Sequence, residues 1–175
     1  NPHPKHPYEH LSKWAACTSD LLTNPAHHFG HHGKGFLCEW NNAEPPSQQP
    51  DPDAVYWNGH WYRYFAGKLS WTEAKSAADK RNGHLVCIET EAENNFVTGL
   101  MMFANPEVNF CWIGYSVKKN GERVWVNGKL LSQGYKNLKT LKTEADRTGG
   151  VMQVRDYQGN PSSRHPYENL GKWWS

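Results

Sequence analysis

No stretch of the 175 residues approaches the ~20 consecutive apolar side chains that a membrane-spanning helix requires. Basic residues neither cluster nor interleave with aromatics. With 19 Lys+Arg against 17 Asp+Glu, the chain lacks the electrostatic footprint of a nucleic-acid binder. Also missing are G-x-S-x-G, H-E-x-x-H and a phosphate-cradling glycine loop, so the expectation is that the protein is not an enzyme. His6 and Glu9 recur as His165 and Glu168, but set among Pro7, Tyr8, Leu11 and Trp14 they read as a packed segment rather than an acid–base pair. Cysteine is scarce. The four present include no C-x-x-C, which argues against a zinc ribbon, and they permit three pairings if all are bridged. Neither an initiator Met nor a signal peptide precedes Asn1, so the chain reads as a processed or excised piece.

Aromatic rings, by contrast, are plentiful. Nine Trp, eight Tyr and six Phe in a chain of mean hydropathy −0.85 imply a small core built from large side chains. The length suits one good core, with at most an appendage. The most informative stretch, Phe110 to Leu131, reads as a hairpin. An apolar run Cys111–Trp112–Ile113–Gly114–Tyr115 leads to a turn at Asn120–Gly121, then to Val124–Trp125–Val126 and a second turn at Asn127–Gly128. Trp112 and Trp125, on neighbouring strands, are expected to anchor the core.

Upstream, Val55 to Phe65 is an aromatic-rich strand candidate. Ser70 with Glu73 forms a capping box that opens a helix running to about Arg81, ended by Asn82–Gly83, with Trp71, Ala74 and Ala78 on one face. Leu85 to Ile88 is a short strand. Thr90 with Glu93 opens a second helix whose apolar face is Ala92, Phe96, Val97, Leu100 and Met101. Residues 132–148 form a polar, irregular loop before a strand from Val151 to Val154. Residues 41–54, with four prolines between Asn41 and Asp53, read as an extended, semi-rigid linker.

These motifs, in this order, resemble the C-type lectin-like domain. Phe110 to Leu131 is similar to its W-I-G … G-x-x-x-W-x-x-G signature, and Trp61–Tyr62–Arg63–Tyr64–Phe65 looks like its first strand. Gly35–Phe36–Leu37–Cys38–Glu39–Trp40 resembles its closing strand, G-F-x-C-E. The resemblance implies an α+β fold with two helices, two small antiparallel sheets and a long loop, and an extracellular, oxidising setting. In the family a helix-one cysteine bonds the closing-strand cysteine. Ala78 stands at the helix position here, so the resemblance points to Cys87 as the partner of Cys38, and leaves Cys17 and Cys111 unassigned.

Sugar-binding members hold calcium through E-P-N or Q-P-D in the long loop and a later W-N-D, all hard oxygen ligands. The loop contains neither form. The W-N-D position reads Trp14–Ala15–Ala16 in one place and Trp173–Trp174–Ser175 in another. Gln49–Pro50–Asp51 lies in the linker, on the wrong side of the first strand, and Glu144 and Asp146 read as solvated. No calcium and no other cofactor is expected. His27, His28, His31 and His32 form an alternative metal-ligand run, read otherwise as a polar loop before the Phe36 strand.

The two ends of the chain repeat each other. Residues 1–14 and 160–173 agree at nine positions, including His6/His165, Tyr8/Tyr167 and Trp14/Trp173. The closing strand also precedes the first strand, the reverse of the family order. Together these read as a window across a tandem array: 1–40 as the end of one unit, 41–54 as linker, 55–175 as the start of the next. A circular permutant with a redundant tail is the alternative. The leading expectation is therefore a structural unit of a head-to-tail array or fibre, with copies of itself as partners and His6, Tyr8, Trp14, His165, Tyr167 and Trp173 as contact anchors. Residues 1–40 either fold back or complete a neighbour. The second expectation is a calcium-independent adhesion or recognition module that binds glycan or protein through the 132–148 loop.

Overall fold

Alternation along one central strand sets the architecture. In the computed structural model, β2 (Gly35–Asn41) is buried at every residue from Gly35 to Trp40. Side chains of a strand point alternately to opposite faces, and here Phe36, Cys38 and Trp40 enter one apolar cluster while Leu37 enters another. The structure describes residues 14–17, 35–41, 49–105, 110–138 and 149–153, with backbone alone for 14–17, 110 and 153.

Around β2 the described elements are β1 (Trp14–Cys17), β3 (Val55–Trp57), β4 (His60–Ala66), helix α1 (Trp71–Asp79), β5 (His84–Leu85) and helix α2 (Glu91–Ala104). Then follow β6 (Phe110–Val117), β7 (Arg123–Trp125), a 3-10 turn at Leu131–Gln133 and β8 (Gly149–Gln153). Two antiparallel groups are present, β3–β4–β2–β5 and β1–β8–β6–β7. They join into one sheet through a parallel contact between β2 and β6 at Phe36 and Trp112. β2 runs antiparallel to β4 from Gly35 opposite Ala66 to Asn41 opposite His60. Residues 35–41 thus fold back onto the first strand of their own chain.

The two helices cover opposite faces. Ala74 and Ala78 of α1 join Phe36, Cys38, Trp40, Leu85, Trp112 and Val151, while Val97 and Met101 of α2 join Leu37, Tyr62, Ile113, Tyr115 and Trp125. Trp112 and Trp125 therefore anchor two different clusters, not one. Two buried indoles donate to backbone carbonyls that close the sheet against its connections: Trp112 Nε1 to Leu69 O at 2.7 Å, and Trp40 Nε1 to Arg81 O at 2.8 Å.

Ser70 caps α1 in the expected box, with its side chain accepting from Glu73 N–H and the Glu73 carboxylate accepting from Ser70 N–H at 2.7 Å. Three expectations are corrected. The Val55–Phe65 strand is two strands, because Asn58 (φ 48°) and Gly59 (φ 90°) both adopt left-handed backbone and form a two-residue hairpin turn. The buried stripe of α2 is Glu93, Asn94, Val97, Thr98 and Met101, with Ala92 exposed. Thr90 accepts from Glu93 N–H, but the Glu93 carboxylate turns into the protein instead of closing a box. Finally, Cys38, Cys87 and Cys111 are free thiols, so the Cys38–Cys87 bond is not formed. Cys38 lies opposite Leu85 across the β2–β5 pair and enters the α1 cluster, whereas Cys87 enters the α2 cluster.

Candidate functional site

Glu39 occupies a position in β2 where alternation calls for an apolar side chain, and it is 3% exposed. An ionised carboxylate buried this deeply needs partners, and three elements supply them. Glu39 Oε1 lies 2.9 Å from His60 Nδ1, at the start of β4. Oε2 accepts the Cys87 N–H at 2.9 Å and lies 3.7 Å from Nδ1 of His84, the residue paired opposite Glu39 in β5. The hydrogen bond to Glu39 raises the His60 pKa, against a smaller opposing effect of burial. Burial, followed by the Glu39 charge, pushes the Cys87 thiol well up.

A second carboxylate faces the same space from α2. Glu93 accepts from the Tyr62 hydroxyl at 2.8 Å and from Glu89 N–H at 2.8 Å. Burial raises its pKa, with the nearby Glu39 charge acting in the same direction. At the rim, burial opposes ionisation of Glu89. Hydrogen bonds from Lys129 Nζ (2.7 Å) and Asn127 Nδ2 (2.9 Å) outweigh that effect and hold its pKa below the usual value. Together with Trp57 and Thr90 these groups, His84 apart, line an open pocket of about 380 Å³. Its lining is rich in acceptors and carries one lysine, a chemistry that suits cations and hydroxylated ligands.

None of Glu39, His60, His84, Glu89 and Glu93 stood out in the sequence as a site residue. The available signal was Glu39 itself, an acid in the middle of an otherwise apolar strand. Of the anchors that did stand out, His6, Tyr8, His165, Tyr167 and Trp173 lie outside the described residues, as do His27, His28, His31 and His32. Trp14 is described in backbone alone. Trp14–Ala15–Ala16 runs antiparallel to β8, opposite Met152, Val151 and Gly150. Of the 132–148 loop, residues 132–138 are described. They start from the buried Leu131 and pass the buried Asn137.

A two-helix α+β domain, closed by β2 against β4 and centred on the Trp112–Ile113–Gly114 strand, is a lectin-like recognition domain. The Lectin C-type domain family matches residues 67–164, more than half of the chain, and the protein belongs to it. It is 34% identical over 122 residues to "Hepatic lectin" of Gallus gallus, covering 67% of this chain and 53% of that protein. It is 32% identical over 92 residues to "Snaclec A16" of Macrovipera lebetinus, covering 50% and 57%. With "C-type mannose receptor 2" of Homo sapiens it shares 36% over 97 residues, 53% of this chain and 6% of that one. The chain thus spans about half the length of the first two relatives and a small part of the receptor. No solved structure matches it. Among the described residues no helix is long and apolar enough to cross a membrane.

Proposed function

We propose that this is an extracellular recognition module that binds a glycan or protein ligand through the surface carrying the 132–148 loop, without a calcium ion of the lectin type. Membership of the C-type lectin family, with relatives named as a lectin and a mannose receptor, supports the recognition role. The observation that carries the calcium independence is the strand beside β8. It reads Trp14–Ala15–Ala16 where a sugar-binding member has two oxygen ligands, and an alanine methyl cannot coordinate a cation. A glycan array and a panel of extracellular proteins, each probed with and without a calcium chelator, test the reading. Binding that survives the chelator is the expected result. Binding abolished by the chelator, or no binding to either class, overturns it.

We also infer a second reading from the terminal repeat. Among the described residues β1 is the outermost strand, next to β8, and the chain carries two copies of the segment that leads into it, 1–14 and 160–173. One place for two copies favours exchange between chains, which would build a head-to-tail assembly. Light scattering across a concentration series tests this: a mass rising with concentration is expected, and a monomer throughout excludes it.

A further inference from the structure

We propose that a basic slot between the β6–β7 turn and the start of the 132–148 loop binds an acidic glycan, one whose sugar rings carry sulfate or carboxylate groups. The proposal rests on the recognition role proposed above and names the ligand class for that surface. Residues 117–138 hold five basic side chains and one acidic one, in a chain whose total charge is only +2. The rest of the chain is therefore net acidic, and positive charge is concentrated at this end of the fold. Lys129 is drawn to Glu89 at 2.7 Å, and Lys118 lies 4.0 Å from Glu122, the single acid of the stretch. Among the described residues Lys119 and Lys136 have no ion-pair partner.

Two hairpin turns build the slot. Lys118 N–H donates to Glu122 O and Gly121 N–H to Lys118 O, both at 2.8 Å, which closes the β6–β7 turn and delivers Arg123 at the start of β7. After the second turn Leu130 pairs back onto Val124, and the 3-10 turn at Leu131–Gln133 carries the chain past the same side. Arg123, Ser132 and Lys136 thereby line one open cavity of about 230 Å³, with Leu130, Leu131 and Leu138 as its apolar lining.

That combination fits an acidic sugar. The volume is below the roughly 300–1,000 Å³ of pockets for drug-sized ligands, which leaves room for about one pyranose ring. Such a ring has a C–H face for the leucines and hydroxyls for the exposed Ser132. A sulfate or carboxylate on the ring meets the guanidinium fork of Arg123, which accommodates two oxygens at once, and the point charge of Lys136. An extended acidic peptide fits less well, because it gains most from a free strand edge. Val124 of β7 is already paired with Ser116 on one edge and with Leu130 on the other. Two cationic side chains also hold an anion directly, with no metal ion between protein and ligand.

The test is calorimetry on the full chain, in chelator, with three hexasaccharides: heparin, its desulfated form, which keeps the uronate carboxylates, and neutral chitin. Heparin should bind, and chitin should bind at least about tenfold more weakly. Retained binding of the desulfated form supports a carboxylate as the recognised group, and its loss supports sulfate. Raising salt from about 0.05 to about 0.5 M should weaken heparin binding about tenfold or more. Arg123→Gln and Lys136→Gln should each cost about tenfold. Lys80→Gln, which removes a charge from the end of α1, should change nothing. Circular dichroism separates lost binding from lost folding, and Ser132→Asp is a second variant at an exposed position that should repel the ligand. Equal binding of chitin, or of a poly-glutamate peptide of matched charge, overturns the proposal, as does undiminished heparin binding by folded Arg123→Gln and Lys136→Gln. Binding of neutral glycans alone, or of a protein alone, overturns it and leaves the recognition role standing. No binding of any glycan or protein removes both.

Discussion

The Tyr62 hydroxyl donates a 2.8 Å hydrogen bond to Glu93 Oε1, joining β4 to the first turn of α2 inside the protein. Both residues are buried, and the Glu93 carboxylate has one further bond from the Glu89 N–H. Tyr62→Phe keeps the ring and its contacts with Trp57 and Phe96 but leaves that oxygen unsatisfied. The expected loss is about 1.5–3 kcal/mol of stability, measured by denaturant unfolding. Tyr62→Phe combined with Glu93→Gln should cost less than the sum of the single changes, and strict additivity would show that the bond contributes nothing.

Two glycines should respond to alanine with opposite signs. A Cβ on Gly114 would lie 2.8 Å from Val86 O and closer still to Leu85 O, both rigid backbone atoms, so Gly114→Ala should destabilise by about 1–3 kcal/mol or more. Gly99, inside α2, has open space around the same atom, and Gly99→Ala should stabilise by about 1 kcal/mol. Thermal melts of the two variants check this, and a destabilised Gly99→Ala would contradict the packing of α2.

Ser70→Ala removes the cap of α1 and should cost about 0.5–2 kcal/mol at neutral pH. The cost should shrink in acid. Hydrogen bonds from the Ser70 backbone and then its side chain hold the Glu73 pKa below its usual value in the fold. That stabilisation is present above the unfolded carboxyl pKa of about 4 and is lost as pH falls through the lower folded value. Unfolding of both proteins at several pH values reads the difference, and a gap that widens in acid would reject the assignment.

Cys38 and Cys111 should resist alkylation in the native protein at about pH 8. Burial pushes the Cys38 thiol up to about 12 and raises that of Cys111 as well. After denaturation without reductant, both should label fully. Peptide mapping that recovers a Cys38–Cys87 bridge would restore the disulfide and remove the free thiol from the pocket.

Much of the fold was legible because it is written in short-range patterns. Ser70 with Glu73, Asn82–Gly83 and the Asn-Gly turns act within four residues, and each appears where its chemistry placed it. The same local rules misled at Glu93. Spacing alone reads it as a capping partner of Thr90, but the stronger competitor was Tyr62, a hydroxyl 31 residues away. At Asn58–Gly59, a strand-like aromatic run hid a turn whose two residues accept positive φ at little cost.

The amino-acid sequence by itself determined the local elements, and the lectin-like frame was legible in it through the resemblance of Gly35–Trp40, Trp61–Phe65 and Phe110–Leu131 to that family. It also carries Trp14–Ala15–Ala16 at the position where the resemblance places the W-N-D ligands of the lectin calcium motif. Tertiary structure decided what those residues face. Glu39, His60, His84 and Cys87 come from separate stretches of chain up to 48 residues apart, and no periodicity links them. Their meeting depends on β2 folding back between β4 and β5. A one-residue shift in either pairing would turn Glu39 to the opposite face, among Phe36, Trp40 and Trp112.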